Sequence, residues 1–270
     1  MRFIDSHCHL DLPEFDSDRE SVLADCANNS ISAIVVPGVN IIPCQHLQPQ
    51  KVEGVGVHHG IGVHPWWLEQ YQSSGCLIDD LAAEISSAYK NAVTNSISIV
   101  AIGETGLDRQ YAKSSVVDLN TQIKSVEQHI QAANELSLPV IFHCVKAHAE
   151  LLGVLKHCPV IKGGVIHGFA GSIEDAKQFV EKGMKIGVGG TITYERARKT
   201  REAVKALSHQ ELLIETDAPS MPLAGMQGLR NSPLNIIKVA KELARLRGES
   251  LEAVAAYTTD NACELFGITL

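Results

Sequence analysis

The chain has 270 residues, 45% hydrophobic, 20% charged and 5% aromatic, a balance that excludes a disordered tail, a collagen-like repeat and a small disulfide scaffold. Its 23 basic and 31 acidic side chains give a formal charge of −8, the reverse of a protein that grips long nucleic acid through its own surface. If such a chain handles phosphate, something other than lysine and arginine must supply much of the positive charge.

The first apolar run is Phe3-Ile4, and no long apolar stretch follows Arg2, so a signal peptide is not expected. Similar runs recur at Ala33–Val36, Val55–Val63, Ile99–Ile102, Pro139–Phe142, Gly164–Ile166, Met184–Val188 and Leu212–Ile214. They are nearly continuous rather than alternating, as strands buried on both faces of a parallel sheet are. Helical patterns lie between them. Leu119, Ile123, Val126, Ile130 and Ala133 share one amphipathic face. Ser172 with Asp175 forms a capping box that opens a helix through Val180. Ile236, Ile237, Ala240, Leu243 and Ala244 make a later stripe, between Pro233 and Gly248.

Strands recur every 25 to 40 residues or so, the length of one β/α unit. Eight such units without a linker predict a single α/β domain over residues 1–270, a (β/α)8 TIM barrel. The competing doubly wound open sheet would want a glycine-rich dinucleotide fingerprint after an early strand, and the sequence has none. The seven cysteines are scattered and lack any Cys-x-x-Cys, and no apolar run approaches the ~20 residues of a membrane span. These features predict a cytoplasmic chain that avoids membranes and needs no obligate protein partner. Cys8 and Cys144 adjoin histidines, but strand alternation should point them away from any ligand ring.

In such a barrel the chemistry sits at the C-terminal strand ends. Those ends read His7-Cys8-His9, Gly103 to Asp108, Phe142-His143, His167-Gly168-Phe169 and Glu215 to Pro219. Two histidines at i and i+2 fall on one side of a strand and can reach one ion. Four histidines and two carboxylates converging on one ring predict a metal site, because buried carboxylates left unpaired cost several kcal/mol. Six ligands suit two open sites sharing a carboxylate better than one closed tetrahedral site. Glu104 is the expected bridge, with His7, His9 and Asp217 around one ion and His143 and His167 around the other. Imidazole favours zinc or manganese on softness, and availability can bring in magnesium.

At these positions the sequence resembles the TatD-type metal-dependent deoxyribonucleases, within the metal-dependent hydrolases built on TIM barrels. The stretches that carry it are Phe3 to Asp11, Gly62-Val63-His64-Pro65, Ala101 to Asp108, Leu138 to His143, His167 to Ser172, Glu215 to Pro219, Arg230 to Pro233 and Asn261 to Gly267. The resemblance spans the chain in order. It implies two divalent ions held by His7, His9, Glu104, His143, His167 and Asp217, and hydrolysis of DNA phosphodiester bonds, often 3′ to 5′ from an end. One departure is local: where the family reads Ser-Arg-Asp after the strand-five histidine, this chain has Cys144-Val145-Lys146. Lys146 or His148 then stands where an arginine would meet phosphate.

The expected mechanism has Asp217 take the proton of the attacking water, with Glu104 bridging the ions. His64, Lys146 and Arg230 are the expected substrate contacts, and the substrate is a DNA end or a small phosphodiester. Asp108 reads as a turn residue and Glu215 as a carboxylate paired inside the barrel. Two other readings stay open: hydrolysis of a small ester, lactone or cyclic amide on the same scaffold, and a metal-stabilised binding protein.

Overall fold

The computed structural model describes residues 1–41 and 53–270; Cys44 lies outside the described residues. In chain order the strands and α-helices are β1 (Phe3–Asp5), α1 (Arg19–Asn28), β2 (Ile31–Val36), β3 (Gly56–Ile61), α2 (Leu68–Ser73), α3 (Leu81–Thr94), β4 (Ile99–Asp108), α4 (Arg109–Ala112), α5 (Leu119–Leu136), β5 (Val140–Val145), α6 (His148–His157), β6 (Gly164–Ile166), α7 (Ile173–Glu181), β7 (Met184–Val188), α8 (Arg198–Ala206), β8 (Leu212–Ile214), α9 (Ile236–Arg247) and α10 (Leu251–Phe266).

The eight strands form one sheet in the order of the chain, β1 to β8, each parallel to the next. This is the expected (β/α)8 barrel. The α5 stripe is buried at Val126, Ile130 and Ala133, and both hydrogen bonds of the Ser172–Asp175 capping box are made. Gly248 ends α9 in the left-handed conformation, with φ 67°.

Two apolar layers build the core. The larger lies between the sheet and its helices. The smaller joins Ile4, Ala33, Val35, Ala101, Ile141, Val165 and Leu213 to Ala262, Phe266 and Ile268. A single cluster that touches six strands must lie inside the barrel, and α10 with the residues after it caps the strand starts. The interior is therefore dry at the bottom, and polar chemistry is confined to the opposite mouth.

Closure of the barrel relies on side chains as well as backbone. The Ser6 N–H donates to the Ile214 carbonyl at 3.1 Å. The carboxyl of Asp5 accepts from the Thr216 N–H at 3.0 Å and from the Thr216 hydroxyl at 2.6 Å. These bonds tie β1 to the segment after β8, and so set His7 beside Asp217, whose N–H donates to the His7 carbonyl at 2.9 Å.

β4 extends further than its apolar run suggested, which ended at Ile102. After a register shift between Ile102 and Thr105, pairing continues with Thr105 to Asp108 against Phe142 to Val145. Two glycines make this possible. At Gly103, with φ 125°, a Cβ would lie 2.5 Å from the Ile141 carbonyl, and at Gly106 it would collide with the His143 carbonyl. These close approaches hold Glu104 on the strand between them.

The closure can be tested by Thr216→Val, which keeps the shape and removes the hydroxyl that serves both Asp5 and the Ala218 N–H. Denaturant unfolding is expected to show a loss of about 1–3 kcal/mol. An unchanged midpoint would show that the backbone bonds alone close the barrel.

Candidate metal centre

Six of the seven residues brought together at the mouth are the expected ligands, and all approach Glu104, which is buried at 1% exposure. Its Oε2 faces the first histidine pair, 3.2 Å from His7 Nε2 and 3.4 Å from His9 Nε2. Its Oε1 faces the second, 3.1 Å from His143 Nδ1 and 2.8 Å from His167 Nε2. Asp217 Oδ1 lies 3.5 Å from His7 Nε2 and 3.4 Å from His9 Nε2. The seventh residue is His64, whose Nε2 is 3.4 Å from Glu104 Oε1. The two histidine groups also meet, with the His7 and His167 rings stacked at 3.9 Å and 9°.

The donor set fits divalent ions. Three groups could hold one, His7–His9–Asp217, His7–Glu104–His167 and His64–Glu104–His143, each with its ligand atoms within 4.8 Å of one another. An ion bonded tetrahedrally at about 2.0–2.1 Å needs ligand atoms about 3.3 Å apart. The spacings around His7 and His9 run from 3.2 to 3.5 Å. No cysteine belongs to any of these groups.

Neighbouring hydrogen bonds orient the rings. His143 turns its Nε2 to Asp108 Oδ2 at 3.4 Å, which leaves Nδ1 for the cluster. His167 has its Nδ1 3.7 Å from Glu215 Oε1, and that carboxylate also accepts from the Gly168 N–H. The Nδ1 of His64 accepts from the Trp66 N–H at 3.1 Å, so its ring proton belongs on Nε2. Asp108 does more than the expected turn. Its Oδ1 accepts from the N–H groups of Gln110 and Tyr111, both at 2.8 Å, while Oδ2 takes His143 and the Trp66 indole N–H at 3.0 Å.

The charges respond to this crowding. Burial works against ionisation of Glu104, but His167, His64 and His7 hold its carboxyl well below the usual range. Burial likewise opposes the Asp217 anion, and the His9 hydrogen bond with the charges of His7 and His167 keeps its carboxyl low. Burial would lower every imidazole. It wins at His7, and at His64, which is pushed down to about 4. At His9, His143 and His167 the facing carboxylates outweigh it and the values rise. Without an ion, protons on these rings do the neutralising.

The other expected contacts lie outside the cluster. Lys146 is exposed just after β5, in the left-handed region at φ 52°. Its carbonyl accepts from Arg109 Nε at 2.8 Å. His148 is 3.5 Å from Asp175 and stacks on Phe169. Arg230 is paired with Asp18 at 2.6 Å and lies over the Phe15 ring, so contact with a phosphate would require that pair to open. The sequence reading passed over Trp66, although Trp66 and Trp67 are the two tryptophans of the chain and directly follow His64-Pro65.

A (β/α)8 barrel whose strand ends converge on histidines around one buried carboxylate has the architecture of a metal-dependent hydrolase. The sequence profile described as TatD related DNase matches residues 4–267, and the chain belongs to this family. It is 36% identical to an uncharacterized metal-dependent hydrolase of Haemophilus influenzae, over 98% of this chain and all of that one. The crystal structure of YjjV, a TatD homologue from Escherichia coli, superposes with a TM-score of 0.88 at 34% identity, covering 99% of each chain. The 3'-5' ssDNA/RNA exonuclease TatD of Erwinia amylovora is 29% identical over 96% of this chain and 98% of its own length. No described helix is long and apolar enough to cross a membrane.

Protons and metal compete for His9, His143 and His167, whose pKa values lie above the ordinary 6.5. In the metal-free chain their protonation contributes stability that is complete below 6.5 and lost as pH rises through the raised values. Metal acts in the opposite sense. The gain in Tm on adding divalent ion to chelator-treated protein should therefore grow with pH between about 5 and 8. A gain independent of pH would mean that these imidazoles are not ligands.

Proposed function

We propose that the chain hydrolyses phosphodiester bonds of single-stranded DNA, working 3′ to 5′ from an end. In this reading two divalent ions (zinc, manganese or magnesium) are held by His7, His9, Glu104, His143, His167 and Asp217. The observation that carries it is the division of Glu104, one oxygen facing His7 and His9 and the other facing His143 and His167. A carboxylate placed in that way suits a bridge between two open sites, whereas purely structural sites close their coordination. Such ions, when bound, bring the pKa of water toward neutrality and offset the charge that develops on the phosphate oxygens.

The remaining roles fall to the chain itself. Asp217 is anionic and its side chain is 14% exposed, so it reaches both the histidines and water at the mouth. It orients the attacking water and accepts its proton. His64 is neutral with its proton on Nε2, which makes it a hydrogen-bond donor to a phosphate oxygen rather than a ligand. Lys146 adds a point charge at the rim. With a net charge of −8, electrostatic grip along a duplex is weak, which favours ends and short strands. The exonuclease named above supports the same substrate class.

Metal-reconstituted protein is expected to bind close to two ions per chain and to degrade single-stranded DNA faster than duplex. Asp217→Asn should lower kcat by about 10²- to 10⁴-fold with Tm little changed, the usual worth of a general base. Dominant activity on a panel of lactones and small esters, with no cleavage of DNA or RNA, would sink the nuclease reading. A wild-type rate in Asp217→Asn would remove that residue as the base.

A further inference from the structure

No step above uses Trp66, yet it stands against the cluster. It lies in the short turn Pro65–Trp67 after β3, and 51% of its surface is open to water. An indole so exposed would normally be free to turn. This one is tethered, because its Nε1–H donates to Asp108 Oδ2 at 3.0 Å and Asp108 is itself held by the first turn of α4. The Trp66 carbonyl accepts from the Tyr111 hydroxyl at 3.3 Å. Its ring lies nearly parallel to that of Trp67, 16° between planes and 6.4 Å between centroids, and Tyr111 flanks it at 6.3 Å. The same ring is 5.1 Å from His64 and 6.2 Å from His143.

A large apolar plane is thus kept rigid and wet beside the two imidazoles on the β3 and β5 side of the mouth. Core packing would have buried it, and nothing in its hydrogen bonding requires the exposed surface. A nucleotide held by its phosphate at His64 carries its base one sugar away, within reach of this ring. We infer that Trp66 is a stacking platform for the nucleobase of the nucleotide whose bond is cut, a specificity-determining residue; this rests on the nuclease reading above. Stacking of this kind accepts every base, because each has a π face, but the base must be unpaired. Trp66 thereby adds a preference for single strands that the metal ligands alone would not impose.

Two measurements separate this inference from the reading beneath it. In W67F, Trp66 is the only tryptophan left, and its emission should be quenched by a short nuclease-resistant phosphorothioate oligonucleotide but not by an abasic analogue. In kinetics, W66A should raise KM about tenfold on a single-stranded oligonucleotide, a typical worth for one stacked base. That defect should shrink to within about twofold when the terminal nucleotide is abasic, and W66F should recover most of the loss. W66F retains a ring but lacks the donor to Asp108, so its recovery distinguishes stacking from positioning of His143. Cleavage of DNA with no quenching, or with equal W66A defects on both substrates, overturns the platform and spares the nuclease. Base-dependent quenching with no cleavage at any metal does the reverse. Neither quenching nor cleavage overturns both.

Discussion

Everything at the mouth of the barrel answers to one buried anion. A carboxylate at the position of Glu104 has lost its water, and leaving it unpaired there would cost several kcal/mol. The chain meets that charge with five imidazoles from four other strands: His7 and His9 after β1, His64 after β3, His143 on β5 and His167 after β6. Such convergence holds only if the strand ends stay in register around a closed ring. The Asp5–Thr216 bonds across the closing edge and the glycines that bring β4 against β5 are therefore parts of the same site.

A second carboxylate couples this cluster to the surface. Burial opposes its charge, but hydrogen bonds from His143, Tyr111 and Trp66 keep the Asp108 carboxyl well below the usual range. The group that orients a ligand ring also starts α4 and fixes an exposed indole. Substrate contact at the rim and ligand geometry inside are thus mechanically joined. The proton on His64 is assigned by a comparable economy, since the backbone N–H that its Nδ1 accepts belongs to Trp66 itself.

Legibility in the sequence followed the physics of each feature. The strands could be read because burial on both faces demands continuous apolar runs, and all eight runs overlap observed strands. The second half of β4 was hidden because Gly103, Glu104 and Gly106 are poor strand formers in isolation; close approach to β5 places them there. The six candidate ligands were visible as polar residues at equivalent strand ends. Arg230 also looked available, and its pairing with Asp18 could not be seen, because the two are 212 positions apart. Trp66 was passed over because a tryptophan beside an apolar turn reads as core, and exposure is a property of the folded surface.

The sequence by itself determined the alternation of strands and helices, the barrel that eight such units make, and the histidines and carboxylates at its mouth. Those depend on local patterns, on burial and on spacing along the chain. Only the tertiary structure decided which oxygen of Glu104 faces which histidines, which nitrogen of His64 carries the proton, and that Asp108 serves a helix, an imidazole and an indole together. Such facts turn on distances of about 3 Å, the reach of a hydrogen bond, between groups that meet only once the ring has closed.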